Sequence, residues 1–178
     1  MPPVALVDPA TIDTSHVLVD REGLRQGNPQ RFEMEQLSAV VLIDADQHLI
    51  IGYKDVGADE FWVRGHVPGY PLLPGVLMCE AAAQLASYYC HVLKIVRHGM
   101  LGLGGIDDVR FRGKVKPGDR LVLVAKATKV NRRQAVFETQ GFVDNNMVFH
   151  CRILGVPLET KEPEPKDKAA TGVEAAHG

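Results

Sequence analysis

The chain has 178 residues, 46% apolar and 24% charged, with a net charge of −2. This suffices for one domain with its own core and tails to spare, without disulfide staples. The near balance of charge excludes a general nucleic-acid binder, and no apolar run approaches the ~20 residues of a membrane span.

The opening, MPPVALVDPATID, has no basic segment and no continuous apolar stretch, so it does not read as a secretory signal. Residues 1–27 read as a loose lead-in with one short helix. RFEMEQL (31–37) is too short to classify. SAVVLID (38–44) and HLIIGYKDV (48–56) are β-rich runs flanking the turn residues DADQ, which predicts a hairpin. FWVRGHVPGYPLLPG (61–75) is loop by its Pro and Gly content.

Residues 76–96, VLMCEAAAQLASYYCHVLKIV, contain no Gly or Pro and are rich in helix-tolerant residues. Pro74 suits a first helical turn and Gly99 a stop. Nearly every side of this helix is apolar, so the fold should enclose it. Runs at 101–111, 121–130, 134–143 and 147–156 read as strands, with turns at KPGD (116–119) and DNN (144–146). The expected order is two strands, a buried helix, then a meander of three or four strands in one antiparallel sheet. Its open edges predict pairing into a dimer. Residues 158–178 read as a disordered tail, rich in Lys, Glu, Pro and Ala. Cys79, Cys90 and Cys151 have apolar neighbours and form no CxxC pair. They point to reduced core residues in a cytoplasmic protein, not to a disulfide frame or a metal site.

The stretch HVPGYPLLPG, residues 66–75, holds three prolines and two glycines. Such a loop is stiff, because proline fixes φ. It carries His66, and acid–base catalysis demands a fixed base. Glu80 lies in the apolar helix, where burial disfavours its charged form and suits a proton donor. A role in tying down a loop by hydrogen bonds explains it as well. Gly75 opens the helix, where the first N–H groups lack internal partners and a glycine admits a ligand carbonyl. A base, an acid and N–H donors for an enolate-like oxygen suit elimination of water next to a carbonyl. Pro74–Gly75 also reads simply as a helix start. Between Arg110 and Arg133 stand nine Lys or Arg and one acid, Asp119. That segment is either a solvated strand face or a docking patch for an acidic partner.

The pattern H-x-P-G-x-P-x-x-P-G-V-L-x-x-E-A-x-A-Q, His66 to Gln84, resembles the signature of the 3-hydroxyacyl-[acyl-carrier-protein] dehydratases of the FabZ-like group. GIDDVRFRGKVKPGDRL (105–121) is similar to that family's segment after the helix, and the likeness covers residues 28–157. The resemblance implies an α+β hotdog fold, a curved antiparallel sheet wrapped around a long central helix. It implies His66 as the base at C2, Glu80 as the acid toward the 3-hydroxyl, and Gly75 with Val76 as the oxyanion and substrate-binding positions. It further implies that His66 faces Glu80 of a second subunit, in a homodimer or a trimer of dimers. The substrate would be a (3R)-3-hydroxyacyl chain on acyl carrier protein, with no cofactor, no metal, no nucleic acid and no membrane span. The chain departs from the family pattern at Val67, usually Phe, and at Gln30 and Glu33, usually His and Pro. Glu80 in place of Asp favours dehydration without double-bond isomerisation. Two other readings stay open: a non-catalytic hotdog module that binds acyl chains or carrier protein, and a hotdog acyl thioesterase.

Overall fold

The computed structural model describes residues 2–95, 100–131 and 133–158. Strands β1 (Ala39–Asp44) and β2 (Leu49–Asp55) form the expected hairpin. The central helix α2 (Gly75–Val92) follows a short α1 (Arg21–Leu24) in the lead-in. Four strands complete the sheet: β3 (Met100–Phe111), β4 (Arg120–Val130), β5 (Ala135–Val143) and β6 (Asn146–Leu158). All pairings are antiparallel, in the order β1-β2-β4-β5-β6-β3. The sheet is unclosed and wraps α2, which is the hotdog arrangement expected from the sequence.

Close approach of helix and sheet follows from small residues. Ala81, Ala82 and Ala86 of α2 are fully covered. A methyl added at Gly52 of β2 would stand 2.7 Å from the Ala39 carbonyl oxygen and 3.0 Å from Leu85 Cδ1. The helix therefore rests almost on the strand backbone, and larger residues fill the space on either side. Tyr89 is one: its ring packs edge-on to Phe137 at 5.7 Å, and its hydroxyl meets His48 Nδ1 at 3.0 Å. A buried phenol keeps a polar partner in this way.

The meander after α2 runs through three strands: β4, β5 and β6 follow one another, whereas β3, the first strand after the helix, lies beside β6 at the far edge. The chain between β3 and β4 must therefore cross the fold, and on the way the Val115 carbonyl accepts the Leu73 amide at 2.7 Å. The lead-in is not loose. Ala5, Leu6, Val7 and Ile12 pack against Leu49, Ile51, Val124 and Phe142, and Gln140 accepts from the Leu6 amide and donates to the Val4 carbonyl. Apolar residues alternate onto both faces of these strands, so the outer face needs a cover. Finally, α2 ends at Val92 with Leu93 as its cap; the stop proposed at Gly99 lies outside the described residues. Leu158, assigned to the tail, is the last residue of β6, and residues 159–178 lie outside the described residues. The three cysteines are free and buried, as expected.

Candidate active site at the start of the central helix

The loop between β2 and α2 is a succession of tight turns. Trp62 is 3% exposed and anchors the first of them. Its carbonyl accepts both the Gly65 amide at 3.2 Å and the His66 amide at 2.8 Å. Val67 to Tyr70 form the next turn, closed by the Tyr70 amide donating to the Val67 carbonyl at 3.0 Å. Pro68 and Gly69 occupy its centre, and Gly69 has φ +78°, the signature of a type II turn. Pro74 is the N-cap of α2 and Gly75 its first residue. The imidazole of His66 is exposed, and among the described residues its ring makes no hydrogen bond.

At the helix start, the Leu77 and Met78 amides donate to the Pro74 carbonyl at 2.9 and 3.4 Å. The Gly75 and Val76 amides have no acceptor among the described residues, and Val76 is 72% exposed. Two donors at the positive end of the helix are therefore open to a ligand oxygen. A neighbour crowds this residue. A methyl at Gly75 would meet Phe111 Cζ at 2.6 Å, so the aromatic ring at the end of β3 lies against the helix start.

Glu80 is half-buried, not enclosed as the apolar helix suggested. Its Oε1 accepts from Gln84 Nε2 at 2.8 Å. Gln84 also donates to the Met34 carbonyl at 2.6 Å and accepts from the Gln36 amide at 2.9 Å. Its own carbonyl accepts from Asn28 Nδ2 at 3.1 Å. This buried amide ties residues 28–36 to α2 and fixes one carboxylate oxygen of Glu80. Val76, Glu80, Ala83 and Ser87 are not buried and follow one another at four- and three-residue steps. They form one stripe along a helix whose other sides are mostly covered. No hydrogen bond joins Glu80 to His66 among the described residues. The structure thus groups Gly75 and Val76 at the end of the His66 loop, and places Glu80 one turn further along the open stripe.

The basic segment divides. Arg120 pairs with Asp55 at 2.6 Å and stacks over Tyr53. Arg152, outside that segment on β6, binds Asp108 and Glu138. Arg110, Arg112 and Lys114 have no ion-pair partner among the described residues. Lys114 instead donates to the hydroxyl of Tyr70, in the His66 loop, at 3.0 Å. That bond lowers the phenol's pKa and raises the amine's. The sequence signalled neither Phe111 against Gly75 nor the Tyr70–Lys114 pair, because both partners are distant in the chain. Gln84 stood within the recognised motif, but its role depends on the 28–36 segment. Among the described residues no group of three or more His, Cys, Asp or Glu is arranged to hold a metal, and no helix is long and apolar enough to cross a membrane.

One helix wrapped by an unclosed six-stranded antiparallel sheet, with a Pro/Gly loop delivering the chain to the helix start, defines a hotdog-fold domain. Residues 28–152 match the model of the FabA-like domain. The chain is 30% identical over 138 residues to the 3-hydroxyacyl-[acyl-carrier-protein] dehydratase FabZ of Desulfotalea psychrophila, covering 76% of this chain and 91% of that one. It is 34% identical over 134 residues to the enzyme of the same name from Streptococcus agalactiae serotype III, covering 73% and 91%. In fold it is similar to a chain of the dehydratase heterocomplex ApeI:P from Xenorhabdus doucetiae, with a TM-score of 0.66 and 16% identity over 76% of this chain and 91% of that one. The protein belongs to the FabA-like family of hotdog domains and is related within it to the FabZ dehydratases, whose general chemistry is that of hydro-lyases.

Proposed function

We propose that the protein is a 3-hydroxyacyl-[acyl-carrier-protein] dehydratase of fatty-acid biosynthesis, converting a (3R)-3-hydroxyacyl thioester to the trans-2-enoyl thioester and water. The observation that carries this reading is the start of α2, where the Gly75 and Val76 amides lack acceptors at the end of the stiff loop bearing His66. His66 takes a proton from C2. The two amides hold the thioester oxygen as it gains negative charge, an arrangement that lowers such barriers strongly. Glu80 gives a proton to the 3-hydroxyl, which leaves as water, and the C2 electron pair closes the double bond. For this step Glu80 must hold a proton and His66 must lack one.

His66 is exposed in the single chain, and the Glu80 stripe is open and lined by small residues. Both facts support a homodimer, alone or within a trimer of dimers, in which His66 of one subunit meets Glu80 of the other. The cations at Arg110, Arg112 and Lys114 support docking of an acidic carrier protein. The free thiols support a reducing, cytoplasmic setting.

The test is to offer the purified protein a 3-hydroxyacyl thioester and to follow enoyl product and free thiol together. Enoyl formation that disappears in His66→Ala and in Glu80→Gln is the expected result. Free thiol without enoyl product would make the protein a thioesterase, and binding without either product a passive module. Mixing the two inactive variants under exchange conditions tests the shared site. Half of the chains pair as heterodimers, each with one intact His66–Glu80 combination, so about one quarter of the wild-type rate should return. No recovery would place the pair within one chain.

A further inference from the structure

Glu60 lies six residues before His66 and takes no part in the chemistry above. Its carboxylate accepts two hydrogen bonds and forms one ion pair where the loop begins. Oε2 receives Lys54 Nζ at 2.9 Å and Trp62 Nε1 at 2.8 Å, and Oε1 receives the Gly57 amide at 3.0 Å. Lys54 stands on β2 and is 5% exposed, so the whole arrangement rests on the sheet. Burying an ammonium group is costly without a partner, and a residue in this loop supplies it.

The bonds continue toward the base. Trp62 is held at one end by its indole N–H on Glu60 and along its ring by the core. The Val63 amide returns to the Glu60 carbonyl at 3.0 Å, and the Gly65 and His66 amides return to the Trp62 carbonyl. The His66 ring has no hydrogen bond of its own among the described residues, so the backbone at Trp62 decides where the imidazole sits. We infer that Glu60 is the positioning residue of the catalytic base: from its buried contact with Lys54 it fixes Trp62, and through the Trp62 carbonyl it fixes His66. The inference rests on the dehydratase reading for the role of His66. The path Lys54–Glu60–Trp62–His66 is independent of it.

The decisive comparison removes the buried charge pair in both variants and keeps the indole's acceptor in only one. Lys54→Met with Glu60→Gln retains a carbonyl oxygen for Trp62 Nε1 at the expense of the Gly57 amide's partner. Lys54→Met with Glu60→Leu retains none. A displacement of about 1 Å at a reacting group lowers rates roughly 100-fold. The Leu variant should therefore lose about 10- to 100-fold in kcat with KM changed less than about twofold, while the Gln variant stays within about threefold of wild type. In the Leu variant, hydrogen exchange at the Gly65 and His66 amides should accelerate at least about tenfold, with β5 amides unchanged, a local opening and not a loss of global stability. Trp62→Phe, which removes only the indole donor and some volume, should behave like the Leu variant and decides the matter if the latter does not fold. Equal kcat and equal His66 exchange in the Gln and Leu variants, or in Trp62→Phe and wild type, would overturn the inference. If the wild-type protein forms no enoyl product, the dehydratase reading fails, and the exchange data alone decide whether Glu60 positions the loop.

Discussion

Replacing Gly75 by Ala tests how tightly the helix start is built. The added methyl would come within 2.6 to 2.8 Å of three ring carbons of Phe111, where ordinary contact lies at 3.4 to 4 Å. Ring or helix start must shift by about 1 Å to relieve the overlap. The ring cannot swing away freely, because it packs against Phe149 with centroids 6.5 Å apart, and Phe149 is fully buried. Phe111 is already half exposed, so lifting its tip uncovers only a few tens of Å², which costs about 1 kcal/mol. Alanine is the better helix former by up to about 1 kcal/mol. The two effects nearly cancel, and the melting temperature should stay within a few degrees of wild type.

Activity should not be so tolerant. The ring's packing on Phe149 leaves part of the overlap to the helix start, and a shift of a few tenths of an ångström misdirects the Gly75 and Val76 amides that the proposed reaction aims at the thioester oxygen, so kcat should fall about 10-fold. The rate of enoyl formation and the unfolding temperature, measured on Gly75→Ala, Phe111→Ala and the double variant, separate the causes. With the ring gone the methyl meets no overlap, so the double variant should match Phe111→Ala in rate. The two substitutions are then strongly non-additive. Full activity in Gly75→Ala would refute the reasoning, and so would a double variant whose losses simply add.

Gln84→Leu should cost about 2–4 kcal/mol in chemical denaturation, because the Gln36 amide, the Met34 carbonyl and Glu80 lose a buried partner together. Arg25 binds Glu35 through two nitrogens, at 2.7 and 3.0 Å, and this hydrogen bonding holds the Glu35 pKa below its ordinary 4.5. A depressed carboxylate stabilises the folded state above its unfolded pKa and loses that effect as pH falls through the folded one. Arg25→Gln should therefore be slightly less stable than wild type at neutral pH, and the difference should vanish in strong acid. Burial pushes the Cys90 thiol up to about 12, so a thiol reagent at mildly alkaline pH should leave Cys90 unmodified in the native protein and label it on unfolding. Rapid native labelling of Cys90 would contradict the packing of α2.

What the sequence made legible is local. The DNN reversal is a tight turn with Asp144 and Asn145 at φ +48° and +62°, conformations that short polar side chains tolerate. Apolar continuity revealed the helix, and alternation with turn residues revealed the hairpin. The position of β3 was hidden, because β3 and β4 are neighbours in sequence and nothing in the intervening residues shows that they cross the fold. The packing of the lead-in is hidden for a similar reason. Its apolar residues are scattered among Pro and Asp, and only the outer face of the sheet, with Ile51, Val124 and Phe142 side by side, gives them a place to pack.

The candidate site divides along the same line. The His66 loop announces itself because a type II turn and a helix cap need Pro and Gly at fixed positions. Its supports do not, since Lys54, Glu60 and Phe111 are ordinary residues whose partners lie elsewhere in the chain. Glu80 shows what an apolar helix conceals. Composition says that such a helix is enclosed on every side, yet Val76, Glu80, Ala83 and Ser87 remain open along one line. Val76 is exposed and Glu80, Ala83 and Ser87 are only partly covered, so this line is where the proposed dimer partner would pack. A second copy of the chain would cover it and bring an imidazole to it at once. Sedimentation as a monomer at assay concentrations, with full dehydratase activity, would break that argument.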